Sequence, residues 1–210
     1  MTEFFDITHN AFDVHSYRVS YIELFGTLTG LVSVYYASRA NIFTWPTGTI
    51  NAVLLFILFY QVQLYADMFL QVYFFIITLY GWYFWNKKPD DKAITTMGLQ
   101  RRLTTLIIVT TGTLLAGYGF SHIHEYLPEY FMIPAAWPYA DSFIMVASIT
   151  ATTLLAQKKI ENWYLWLMVN IASIIVYYAK EVYFLSFEYV IFFALASYGL
   201  YNWHKKIQNG

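Results

Sequence analysis

Trp163, Trp166 and Asn170 follow one another at i, i+3 and i+7, a spacing that puts two indoles and an amide on one face of a helix. Their chemistry is recognition rather than bond making. An aromatic face attracts a delocalised cation by about 1–2 kcal/mol once water is removed, and a carboxamide donates and accepts hydrogen bonds. Gln71 and Asn51 supply further amides, and Glu188 a carboxylate suited to a positively charged ligand. The set fits a flat, unphosphorylated molecule, because no Lys or Arg stands deep in an apolar run to compensate a phosphate. Catalytic and metal chemistry have no comparable footing. His122 and His124 stand at i and i+2 beside Glu125, which is no helix-face ligand pair. Gly117 and Gly119 lack the rest of a dinucleotide fingerprint. No nucleophile sits beside an intramembrane base, and cysteine is absent. No catalytic residue, metal ligand or cofactor is expected.

These side chains are carried on a chain that is 59% hydrophobic, 21% aromatic and 12% charged, which cannot cover a water-soluble sphere with polar groups. Lipid is the expected solvent. Seven runs of roughly 18 to 21 residues are long enough to cross a bilayer as helices, near 20–38, 46–65, 67–85, 103–120, 139–157, 161–179 and 183–203. A net charge of -1 leaves no basic footprint for nucleic acid. Residues 1–17 lack a secretory signal pattern; Phe4, Phe5, Ile7 and Phe12 suit either the membrane surface or a frayed tail.

The segment from Tyr21 to Lys88 recurs after a shift of 118 positions without a gap: Tyr21 falls on Tyr139, Trp45 on Trp163, Gly81 on Gly199 and Trp85 on Trp203. Starting at spans one and five, the copies point the same way, and span four is the linker. The expected fold is an all-α membrane protein of seven transmembrane helices in a 3+1+3 parallel repeat. Its divisions are an N-terminal extracytoplasmic segment (1–17), a first three-helix bundle (18–92), a linker with helix four and an outer loop (93–138), and a second bundle (139–206). Internal repeats in apolar chains mark transporters whose site lies between the copies. The register partners of Trp163, Trp166 and Asn170 are Trp45, Gly48 and Ala52, so one copy offers a wall where the other is expected to leave space. Glu23, Asp67, Asp141, Glu161 and Glu188 lie near span ends, where a solvated or capping role is the default.

Ten Lys and Arg residues fall on one side of the spans, among them Arg39, Arg101, Arg102, Lys158, Lys159, Lys205 and Lys206, against Arg18 and Lys180 on the other. By the positive-inside tendency the N-terminus is outside and the C-terminus cytoplasmic.

The runs Gln63-Leu64-Tyr65-Ala66-Asp67, Leu70-Gln71-Val72-Tyr73, Tyr80-Gly81-Trp82-Tyr83-Phe84-Trp85 and Glu161-Asn162-Trp163-Tyr164-Leu165-Trp166 through Asn170, with Glu188-Tyr189, resemble the PnuC family of bacterial vitamin transporters. The likeness runs from Tyr21 to Lys206. It implies a fold like that of the sugar-transporting SWEET proteins, in a bacterial inner membrane, and facilitated uptake of a vitamin precursor that an intracellular kinase then phosphorylates and traps. The usual substrate is nicotinamide riboside; thiamine, carried by close relatives, is the alternative. The family's ligand-facing motif lands on Trp163, Trp166 and Asn170, and its third-helix glutamine on Gln71. Membrane lipid is the expected surrounding, and either a monomer or a homo-oligomer is compatible with the surface. Rival classes are a membrane-embedded enzyme, which needs His, Asp or Ser clustered deep in the bundle, and a structural or sensory seven-helix protein.

Overall fold

The computed structural model describes residues 5–14, 17–61, 65–87, 93–129, 135–181 and 183–209. In chain order these form β1 (Asn10–Val14), β2 (Tyr17–Ser20), α1 (Tyr21–Ser38), α2 (Thr44–Gln61), α3 (Tyr65–Asn86), α4 (Leu99–Tyr126), α5 (Pro138–Ala156), α6 (Glu161–Ala179) and α7 (Tyr183–Asn209). Each expected span has its helix, and Pro46 stands in the first turn of α2, where its missing N–H has no intrahelical partner to lose. The chain separates into two compact units, 1–93 and 94–210.

In the first unit α2 packs against both α1 and α3. Small and hydroxylated residues bring these helices together, as lipid-embedded packing favours. The Ser33 hydroxyl donates to the Thr44 carbonyl at 2.8 Å while the Thr44 hydroxyl donates to the Ser33 carbonyl at 3.0 Å, a reciprocal brace between α1 and the start of α2. Asn51 Nδ2 donates to the Gly26 carbonyl of α1 at 2.7 Å, and Thr49 reaches Thr78 of α3 at 3.1 Å. Ile22, Leu54 and Leu58 form a small core, with Ile7 packed against it. Asn51→Leu removes the tie between α1 and α2 and is expected to lower stability by about 0.5–1.5 kcal/mol. An unchanged thermal midpoint of the purified variant would show that the bond contributes nothing.

The stretch before α1 is not a frayed tail where it is described. β1 and β2 pair as an antiparallel hairpin that leads directly into α1, and the Ser20 side chain caps that helix by accepting from the Glu23 N–H. Gln61, at the end of α2, accepts from the Ile7 N–H at 2.9 Å and donates to the Phe5 carbonyl, so the segment is tied to its own bundle.

In the second unit α6 packs against α5 and α7, and α4 packs against α5. Helix four therefore belongs with the second bundle. Glycines set the α4–α5 spacing: a Cβ at Gly117 would lie 2.3 Å from the Tyr139 ring, and one at Gly112 3.0 Å from Val146. Both α4 and α7 run past the expected spans. His122 and His124 consequently sit in the last turns of α4 rather than in a loop, and no group of three metal-ligating side chains occurs among the described residues.

Corresponding turns of the two units share their geometry. Ala40 and Lys158, 118 positions apart, both adopt a φ of 52°, and each closes the helix before it with a bond of 2.9 Å, to the Ala37 and Leu155 carbonyls respectively. Within the first bundle Trp45 is 1% exposed and meets Trp85 edge-on at 5.1 Å; within the second, Trp163 is 1% exposed and meets Trp203 edge-on at 5.7 Å. Each inner indole lies over a glycine, Gly81 or Gly199, whose missing side chain leaves room for the ring.

Candidate functional site

The face of α6 that carries Trp163, Trp166 and Asn170 begins with a scaffold group. Trp163 is enclosed by Gly199 and Trp203 of α7, as its counterpart Trp45 is by Gly81 and Trp85 of α3. Its indole thus fixes α6 against α7. Trp166, half-buried one turn on, packs instead on a cluster that includes Ala147, Ala151 and Leu154 of α5. Asn170 is the tenth residue of the nineteen in α6, mid-helix, and is 3% exposed.

The buried amides divide into two kinds. Asn162 donates to the Lys159 carbonyl at 2.7 Å, holding the turn before α6. Asn170, and Gln71 on α3 at 6% exposure, make no side-chain hydrogen bond among the described residues. An amide taken out of water without a partner costs about 1–3 kcal/mol. Among the described residues, then, each unit has a buried amide left uncommitted by its own bundle. Asn51, which sequence put beside them, is spent on the α1–α2 tie.

Two expectations need correcting. The room opposite Gly48 is filled, because a Cβ there would lie 3.0 Å from the Ser33 hydroxyl and 3.2 Å from Thr78; the glycine serves close helix packing. Glu161 is not a solvated end group. It is 8% exposed, and its Oε1 accepts from the Met97 N–H at 2.8 Å and from Arg102 Nε and Nη2 at 3.0 and 2.9 Å. Asp141 keeps a surface role, paired with Lys180 at 2.9 Å. Glu188 is half-buried on α7, and the Asp67 side chain lies outside the described residues.

Sequence reasoning passed over the aromatic pair beyond Asn170. Tyr177 of α6 and Tyr189 of α7 stack at 5.4 Å with ring planes 15° apart, and Ser173, 0% exposed, stands on α6 between Asn170 and Tyr177. The signal was available: Tyr189 is the register partner of Gln71. The second bundle therefore has a phenol where the first has an amide.

Residues 20–205 match the family described as nicotinamide mononucleotide transporter. The nicotinamide riboside transporter PnuC of Escherichia coli (strain K12) is 31% identical over 94% of this chain and 90% of its own length. The chain belongs to the PnuC family. A second relative, the riboflavin/roseoflavin transporter RibM of Streptomyces davaonensis, is 26% identical over 94% of this chain and 91% of that protein. The fold agrees with the crystal structure of the vitamin B3 transporter PnuC at a TM-score of 0.69, 23% identity, and coverage of 90% of this chain and 83% of that one. Family membership makes the chain a transporter rather than an enzyme, and its helices those of a multi-pass inner-membrane protein.

Proposed function

We propose that this chain carries nicotinamide riboside across the inner membrane by facilitated diffusion, with alternating exposure of its substrate site. The observation that supports this best is the pair of buried amides, Asn170 and Gln71, left without partners by their own helices. Nicotinamide riboside brings a carboxamide and ribose hydroxyls to satisfy such groups, and a pyridinium ring to lie against Trp166. Trp163 serves the site as the support that holds α6 in place, and Glu188 offers its carboxylate to the substrate's positive charge.

The riboside is favoured over its phosphorylated counterpart by the placement of cations. Arg39, Lys87, Arg101, Arg102, Lys158, Lys159 and Lys180 all stand at or beyond helix ends, and Lys205 and Lys206 in the last turns of α7. A phosphate at mid-membrane would meet no compensating charge. The same asymmetry of Lys and Arg orients the chain with its N-terminus outside. Phosphorylation after entry then keeps the gradient inward.

Uptake of labelled nicotinamide riboside into proteoliposomes holding the purified protein tests this. Label is expected to equilibrate without exceeding the outside concentration, with or without an imposed pH gradient, and unlabelled thiamine and riboflavin are expected to compete poorly. Preferential displacement by thiamine would transfer the assignment to that vitamin. Accumulation above the outside concentration would contradict passive transport.

A further inference from the structure

A groove of about 450 Å³ runs along the second unit between α4, α5 and α6. Its walls are apolar, formed by Leu106, Val109 and Leu114 of α4 with Phe143, Leu165 and Met168. Only 11% of the most apolar stretch of α4 is buried within the protein, against 44% for α5. One end of the groove is charged, for Arg102 and Glu161 line it.

That end is basic in sum. Arg101 donates to the Gln157 side-chain carbonyl and so meets an amide rather than a carboxylate. Lys159 Nζ donates to the Thr95 hydroxyl at 2.7 Å. Arg102 shares Glu161, yet 52% of its side chain is exposed. The backbone draws the three cations together, since Thr95 and Ile160 pair at 3.1 Å and the Met97 N–H binds Glu161. Three cations against one carboxylate, at the mouth of an apolar channel on a helix little buried by the protein, complement a phosphate joined to an acyl chain. Basic pockets between transmembrane helices hold anionic lipid headgroups for this reason. We propose that the groove is a binding site for an anionic phospholipid, its phosphate at Arg101 and Arg102 near Lys159, and one acyl chain laid along α4 past Thr110.

Native mass spectrometry of the purified protein, with phosphatidylglycerol or phosphatidylcholine added at equal concentration, tests the assignment. Phosphatidylglycerol adducts are expected to exceed phosphatidylcholine adducts by about fivefold for each cation engaged. Arg101→Gln should lower that preference by about fivefold, and Thr110→Phe, at an exposed position in the groove wall, should reduce retention of both lipids by filling the channel. Both substitutions are at exposed sites, so intact helix content by circular dichroism is the expected control. Equal retention of the two lipids by the unaltered protein would overturn the headgroup assignment, and unchanged retention by Thr110→Phe would overturn the groove. Protein dimers appearing in place of lipid adducts would give the surface to a second copy of the chain and likewise overturn the proposal.

Discussion

Gly199→Ala is expected to lower the thermal midpoint of the purified protein by several degrees, and Gly81→Ala to do the same. At Gly199 an added Cβ would fall 2.6 Å from the Trp163 ring, and at Gly81 2.5 Å from the Trp45 ring. Neither indole can retreat freely, since the edge of Trp203 or Trp85 lies against it. Overpacking of this kind costs about 1–3 kcal/mol. The loss should be relieved in part by shrinking the ring, so Gly199→Ala combined with Trp163→Leu is expected to fall short of the sum of the two separate losses. Full additivity would mean that the glycine and the indole are not in contact. Trp163→Ala by itself should destabilise by about 3–5 kcal/mol, the range for truncating a fully buried large aromatic, before any effect on substrate is considered.

Asn170→Leu should behave in the opposite way. The amide has no hydrogen bond to lose among the described residues, so a leucine of similar size is expected to leave the thermal midpoint equal or higher. Affinity for the transported molecule is expected to fall by about 1–3 kcal/mol, roughly five- to 150-fold, through loss of a buried hydrogen-bonding group. Calorimetric titration alongside thermal unfolding separates the two roles. A fall in stability with unchanged affinity would mark Asn170 as a scaffold residue and remove it from the site.

The helices were legible because lipid demands long apolar runs, and seven such runs lie in the chain almost end to end. What escaped was polar and non-local. Hydropathy reports the stretch that matches the hydrocarbon, so the turns of α4 carrying Arg101, Arg102, His122 and His124 fell outside the expected span although the helix continues through them. The hairpin before α1 depends on Gln61, some fifty positions distant, and Glu161 on Arg102 and Met97, pairings that no local pattern announces.

The candidate site divides the same way. Helical spacing placed Trp163, Trp166 and Asn170 on one face, and their helix does carry them so. Spacing could not say what each would touch. For Trp163 the better guide was its counterpart: an identity at Trp45, together with Gly81 and Gly199, is what a repeated packing unit preserves. Asn170 and Gln71 lack such identical partners, having Ala52 and Tyr189 in register. Positions where the copies differ are therefore where the substrate reading rests.

On the function proposed, buried amides and an aromatic face, with the described cations of the helices kept to their ends, select an unphosphorylated ligand. Calorimetric titration of the purified protein with nicotinamide riboside and, separately, with nicotinamide mononucleotide tests it most directly. The riboside should bind at least about tenfold more tightly, because a phosphate placed among apolar helices without a partner costs well over 1.4 kcal/mol. Equal or tighter binding of the mononucleotide would contradict the account.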